Sequence, residues 1–260
     1  MAILKIEDLS KSFGGLKAVS HVNINVEKGE LIGLIGPNGA GKTTIFNLLT
    51  GVYTPTSGKI ELKNDKTGDT ILINGLKPYI TSSFGISRTF QNIRLFNELS
   101  VLDNLRIAMH KRVKYNIFSA IFRTKAYREC ETIFYENAMN ILEFVGLADK
   151  RDELAQNLPY GEQRKLEIAR AVATGASVIF LDEPAAGMNP SETDELRILI
   201  ENLRKKYELT VILIEHDMKF VMEICERIYV LDFGTIIAEG KPEEIKNNEK
   251  VIKAYLGEEV

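Results

Sequence analysis

Two short stretches of the chain carry residue types suited to phosphate chemistry. The first is Gly36-Pro37-Asn38-Gly39-Ala40-Gly41-Lys42-Thr43-Thr44, which follows the apolar run Leu31–Ile35 and opens a helical pattern reaching Thr50 and stopping at Gly51. Gly-x-x-x-x-Gly-Lys-Thr is the P-loop pattern. Its glycines let successive backbone N–H groups curl round phosphate oxygens, and the helix N-terminus adds positive potential. Lys42 is expected to reach the β- and γ-phosphates, and the Thr43 hydroxyl to ligate Mg²⁺. From residue frequencies, the pattern arises by chance in about one chain of this length in a hundred. The second stretch is Val178-Ile179-Phe180-Leu181-Asp182-Glu183, an apolar strand ending in two carboxylates. In a P-loop protein that strand end faces the nucleotide, so Asp182 suits the Mg²⁺ shell through water. Glu183 suits a group that polarises the attacking water, an effect of ~10²–10⁴ in rate. The alternative reading of the pair is two ordinary solvated acids after a strand.

Such groups need a rigid frame, and the hydrophobic pattern outlines one. Ile3–Leu9 and His21–Val26 alternate as strands, and Ile60–Leu62 and Thr70–Ile73 follow as short strands around a polar Asn64–Asp69 turn. Val101 to about Leu147 has helical periodicity. Gly161–Ala173 predicts a helix, and so does Pro190–Lys206, where Asn189 stands as N-cap, Pro190 at N1 and Glu192 at N3. Thr210–Ile214 predicts another buried strand, and Arg227–Leu231 with Thr235–Ala238 a hairpin over Asp232-Phe233-Gly234. Strands alternating with helices argue a mostly parallel α/β sheet.

Composition excludes other classes. The 260 residues, 45% apolar and 27% charged, are globular in type. The longest apolar run, Leu31–Ile35, is far short of the ~20 residues of a spanning helix. Cys130 and Cys225 lie far apart in unrelated contexts, which rules out a disulfide framework or a Cys-based metal site. Met1–Leu9 lacks the layout of a signal peptide, so a soluble cytoplasmic chain is expected. The net charge of −3 conceals an asymmetry: residues 1–128 carry 18 Lys/Arg against 9 Asp/Glu, and residues 129–260 carry 15 against 27. Seven basic residues and no acid lie between Arg106 and Arg128, interleaved with Ile107, Met109, Tyr115, Ile117, Phe118, Ile121 and Phe122. Such a stretch is either a solvated helical face or a docking surface near lipid headgroups or a partner's loops.

The segment Leu158-Pro159-Tyr160-Gly161-Glu162-Gln163, opening the run Arg164-Lys165-Leu166-Glu167-Ile168-Ala169-Arg170-Ala171, makes the pattern specific. It resembles the signature motif of the ABC ATPases, some twenty residues before the acidic strand. Gln91 in Thr89-Phe90-Gln91-Asn92 matches that family's Q-loop, Asn189 its D-loop position, and His216 in Ile214-Glu215-His216-Asp217 its switch histidine. Phe13 stands where the family stacks an aromatic ring on adenine, a contact worth about 1–3 kcal/mol. The resemblance covers nearly the whole chain. It implies an α/β P-loop NTPase fold with a RecA-like core, a small antiparallel β-subdomain and a helical signature subdomain. The core and β-subdomain are expected over about 1–90 and 160–260, and the Q-loop and helical subdomain over about 91–159.

Against the general Leu-Ser-Gly-Gly-Gln, Pro159 replaces Ser, Tyr160 the first Gly and Glu162 the Gln, while Gly161 stays. Leu-Pro-Tyr-Gly before Arg-Lys-Leu-Glu-Ile-Ala-Arg is similar to the ATP-binding subunits of high-affinity branched-chain amino acid importers. So are Glu183-Pro184-Ala185-Ala186-Gly187, the Val251–Gly257 tail and the 106–128 insert with Asn116-Ile117-Phe118-Ser119. The resemblance implies two ATPs held between two head-to-tail subunits. Lys42, Gln91, Glu183 and His216 would be catalytic, Thr43, Gln91 and Asp182 would bear on Mg²⁺, and Leu158–Gln163 would contact ATP held by the partner. Implied partners are transmembrane permeases, a second ABC ATPase and, indirectly, an external solute-binding protein, with no nucleic acid. The implied location is peripheral, on the cytoplasmic face of the membrane. Rival resemblances are the ATPase of a lipid or lipopolysaccharide exporter, whose signature more often keeps Ser-Gly-Gly, and a soluble ABC ATPase of iron–sulfur cluster assembly.

Overall fold

A computed structural model describes residues 2–64, 67–110 and 117–256. Lys111, Arg112, Lys114, Tyr115, Asn116 and Gly257 of the stretches singled out above lie outside the described residues. The chain divides into two compact units, one formed by residues 1–88 with 177–260 and the other by residues 89–176. The helix of the signature segment falls in the second unit, which extends to residue 176, beyond the boundary near 159 that the resemblance implies.

In the first unit, β1 (Ala2–Phe13) and β2 (Leu16–Glu27) form a long hairpin, and β4 (Ser57–Lys63) and β5 (Thr70–Leu72) extend it in the order β2-β1-β4-β5, every pair antiparallel. The second sheet contains β3 (Leu31–Ile35), β6 (Ile86–Arg88), β7 (Val178–Asp182), β8 (Thr210–Ile214), β9 (Arg227–Asp232) and β10 (Thr235–Gly240) in the order β10-β9-β3-β8-β7-β6. Only the β9–β10 hairpin is antiparallel; β9, β3, β8, β7 and β6 run parallel. Every residue of β3, β7 and β8 is buried, as unbroken apolar runs in a parallel sheet require. The β2 and β4 faces pack with β3, β7 and α1 (Lys42–Leu49) around one core that includes Leu4, Val26, Leu34, Phe46, Leu62 and Phe180.

The remaining helices of this unit are α2 (Pro78–Ser83), α7 (Pro190–Tyr207), α8 (Met218–Ile224), α9 (Pro242–Lys246) and α10 (Glu249–Leu256). At the start of α7, Asn189 accepts the N–H of Glu192 at 3.0 Å and Glu192 returns a carboxylate to the Asn189 N–H at 2.9 Å, the capping box expected from the residue order. The second unit holds α3 (Val101–Met109), α4 (Ile117–Ile121), α5 (Lys125–Val145) and α6 (Tyr160–Ala173). The helical periodicity of 101–147 is therefore divided among α3, α4 and α5. Thr124 caps α5, and Gly146, at φ 74, ends it. Val101, Leu105, Leu142 and Leu166 are fully buried in this unit.

Candidate active site

The phosphate loop is built where β3 delivers the chain into α1. Gly36 has φ 151, and a Cβ there would lie 2.0 Å from the Leu231 carbonyl oxygen; at Gly41, φ 106, a Cβ would lie 2.6 Å from that of Ala18. Neither position tolerates a side chain, so both outer glycines of the motif are required by close backbone approach. The β9–β10 turn, Phe233-Gly234 with both residues at positive φ, braces the loop from behind: the Gly234 N–H donates to Ala40 O at 2.9 Å, and the Ser20 N–H donates to Gly234 O at 2.8 Å. Lys42 closes the loop, its Nζ donating to Gly36 O at 2.7 Å and Pro37 O at 2.8 Å. Burial holds the Lys42 ammonium below its usual pKa, an effect opposed by the charges of Glu183 and Asp182. Asn38, Gly39 and Thr43 are exposed, and Thr44 is half-buried.

β7 brings the acidic pair to the same unit's parallel-sheet edge. Asp182 is buried, with Oδ2 2.5 Å from Arg88 Nη2. Glu183 leaves the strand at φ 48, a left-handed conformation that costs a non-glycine residue about 1–3 kcal/mol. It is held there from both sides: its N–H donates to Ile214 O at 2.8 Å, and its Oε1 lies 2.6 Å from His216 Nε2. His216 reaches it because β8 ends beside β7, with Asp182 in register with Ile214. Glu215, whose residue number alone suggested nothing, is buried and accepts the N–H groups of Ala185 at 2.7 Å and His216 at 3.0 Å. Burial pushes its carboxyl pKa up against those hydrogen bonds. It fixes the turns that follow both strands. Phe13, half-exposed at the β1–β2 turn, meets Tyr53 edge-on at 5.1 Å with Lys11 Nζ 4.9 Å from its ring centre. Among the described residues no cluster of three or more His, Cys, Asp or Glu could hold a metal alone.

In the second unit, Gln91 is exposed, and its backbone is gripped by the helix that starts in the signature segment. Arg164, fully buried, donates to Phe90 O at 2.9 Å, Gln91 O at 3.0 Å, Glu167 Oε2 at 2.8 Å and the Tyr160 hydroxyl at 3.0 Å. Glu167 Oε1 accepts the N–H groups of Phe90 and Arg94, each at 3.3 Å, and Arg170 donates to Arg94 O. α6 begins one residue earlier than its periodicity predicts, at Tyr160, with Pro159 as N-cap at φ −54. Gly161 thus lies in the first turn, where helix N–H groups lack intrahelical acceptors. Leu158 is buried and Gln163 Nε2 donates to its carbonyl at 2.8 Å. Two of the three substituted signature residues have local side-chain partners: Tyr160 serves Arg164, and Glu162 holds Lys150 through both oxygens at 2.7 and 2.8 Å.

Of the basic stretch, Arg106 pairs with Asp103 at 3.3 Å and Glu131 at 2.7 Å, and Lys125 lies 3.7 Å from Glu129. Phe118, Ile121 and Phe122 are each about two-thirds exposed or more. Among the described residues no helix is long and apolar enough to cross a membrane.

The family described as ABC transporter matches residues 19–186, and that described as branched-chain amino acid ATP-binding cassette transporter matches residues 235–260. Over 256 residues the chain is 47% identical to the high-affinity branched-chain amino acid transport ATP-binding protein LivG of Escherichia coli K12, with 98% of each chain covered. It is 35% identical over 259 residues to the lipopolysaccharide export system ATP-binding protein LptB of Haemophilus influenzae, with 100% of this chain and 99% of that one covered. Among solved structures, a nucleotide-free ATP-binding cassette from an ABC transporter superposes with a TM-score of 0.82 at 34% identity, over 99% of this chain and 100% of that one. With the family match over residues 19–186 and the near-full-length identity to LivG, the chain belongs to the ATP-binding subunits of ABC transporters.

Proposed function

We propose that this chain hydrolyses ATP to energise an importer of branched-chain amino acids. The observation that carries the cargo reading is the 47% identity to LivG along the whole chain, against 35% to the lipopolysaccharide exporter's ATPase. Pro159-Tyr160 and the matched 235–260 tail support the same choice.

The backbone of Gly36–Thr44 wraps the phosphates, and Lys42 exchanges its loop carbonyls for β- and γ-phosphate oxygens. Phe13 lies under adenine. The Thr43 hydroxyl and the Asp182 carboxylate, with Gln91, are the groups that would hold Mg²⁺. A donor set this sparse and all oxygen suits an ion bound chiefly by the nucleotide and water. When bound, Mg²⁺ supplies charge neutralisation on the phosphate oxygens. Glu183 orients and polarises the attacking water, and the His216 contact at 2.6 Å keeps its carboxylate in place for in-line attack. The chain holds one phosphate loop and one signature segment, so each ATP is completed by Leu158–Gln163 of a second subunit, with the Gly161 N–H directed at the γ-phosphate. That subunit is a copy of this chain or a similar ATPase. Permeases dock on the helical unit, where exposed Phe118, Ile121 and Phe122 offer an apolar contact, and this fixes the chain to the cytoplasmic face of the membrane.

The test is to tag the chain, solubilise native membranes gently and identify what co-purifies. Two polytopic permeases together with an ATPase subunit are expected, and vesicles containing them should take up leucine, isoleucine or valine when ATP is supplied on the cytoplasmic side. Recovery with soluble scaffold proteins alone overturns the transport reading and leaves the ATPase intact.

A further inference from the structure

We infer that Arg88 is a positioning residue for the Asp182 carboxylate, and through it for the magnesium–nucleotide complex; the inference rests on the reading that Asp182 faces Mg²⁺. Arg88 closes β6, and its side chain is 9% exposed beside an Asp182 side chain that is 7% exposed. Its guanidinium uses its two ends separately. Nη2 holds Asp182 Oδ2 at 2.5 Å, while Nη1 donates to Asn47 Oδ1 at 2.6 Å and to Thr50 Oγ1 at 3.4 Å. The guanidinium carbon lies 5.5 Å from the centre of the Phe46 ring, which meets Phe180 of β7 edge-on at 5.1 Å. One planar cation therefore ties the helix that begins at Lys42 and Thr43 to the strand that ends at Asp182.

This arrangement has a chemical consequence. With Oδ2 committed to Arg88, the carboxylate cannot rotate freely, and the direction of Oδ1 is set by α1 and β6. A carboxylate that acts on a cation through water depends on such an outer partner, and removing one of this kind changes metal affinity or activity by about 10–100-fold. Lysine cannot substitute, because a single ammonium on a flexible stem lacks the fork that reaches Asp182 and Asn47 together. Charge alone is therefore not the requirement.

The purified full-length chain tests this with Arg88→Lys, which keeps the charge and loses the fork, with Asn47→Ala, which removes only the second anchor, and with Asp182→Asn as the reference. Binding of a fluorescent ATP analogue is titrated in EDTA and against increasing Mg²⁺, alongside the Mg²⁺ dependence of ATP hydrolysis and thermal unfolding. For Arg88→Lys the Mg²⁺ concentration at half-effect is expected to rise about tenfold, with binding in EDTA within about twofold of the parent. Asn47→Ala is expected to move in the same direction by less, and it keeps the question open to test should Arg88→Lys fold poorly. Equal weakening in EDTA and in Mg²⁺ assigns Arg88 to structure alone and overturns the inference. An unchanged Mg²⁺ response in both variants overturns it too, provided Asp182→Asn shifts that response. If Asp182→Asn leaves the response unmoved, the reading of Asp182 itself fails and takes the inference with it.

Discussion

Glu183 carries two constraints that ordinary surface acids lack, a left-handed backbone at φ 48 and a 2.6 Å contact to His216. In the proposed mechanism both hold its carboxylate in place as the base. Glu183→Gln keeps the size and removes the basicity, so MgATP binding is expected to persist while turnover falls at least ~100-fold, the contribution of a placed base. Single-turnover hydrolysis beside equilibrium nucleotide binding measures both. Gly36→Ala makes the opposite kind of defect. A Cβ 2.0 Å from Leu231 O forces the loop away from β9, and nucleotide binding itself should be lost, read as the absence of any ATP-dependent rise in melting temperature. The phosphate loop and the acidic pair were legible in the sequence because their chemistry needs contiguous residues: a run of backbone N–H groups, and two carboxylates at one strand end. Arg88 and Glu215 were not. Arg88 takes its meaning from Asp182, 94 positions away, and Glu215 from Ala185, 30 positions away. Neither distance leaves a local trace.

Secondary-structure elements were readable where their own ends carry the signal. The capping box at Asn189 identifies α7, whereas no Ser, Thr, Asn or Asp marks the start of the shorter α9, where Glu244 accepts the Lys241 N–H at 2.8 Å. β6 escapes because three residues at a sheet edge owe their conformation to pairing with β7. α6 does more than its pattern suggests, since its buried Arg164–Glu167 pair is the main clasp on residues 90–94. Burial pushes the Glu167 carboxyl pKa up, opposed by Arg164 and two backbone N–H groups. Arg164→Met leaves that carboxylate buried without its cation, which is expected to cost about 3–5 kcal/mol, read as a lowered urea midpoint. Lys150→Ala, which breaks the partly exposed pair with Glu162, should leave the midpoint nearly unchanged. An unchanged midpoint for Arg164→Met would show that the clasp on residues 90–94 adds nothing to stability.

Across the whole chain, the phosphate loop and the signature segment belong to different compact units, residues 1–88 with 177–260 for the first and 89–176 for the second. One subunit thus supplies each half once. If an ATP is completed only by the signature of a second subunit, turnover must depend on how many subunits meet, while binding to the chain's own loop does not. Specific ATPase activity is therefore expected to rise with protein concentration and to level off as pairs fill, or to rise when the second ATPase subunit proposed above is added. The apparent affinity for a nucleotide analogue at the chain's own loop should stay constant over the same range. Glu183→Gln sharpens the measurement, because blocking hydrolysis should let MgATP hold the pair long enough to appear as a doubled mass in light scattering. Specific activity that stays flat over a hundredfold range of concentration, with or without the second ATPase, would mean that one chain completes its own site and that Leu158–Gln163 has another role.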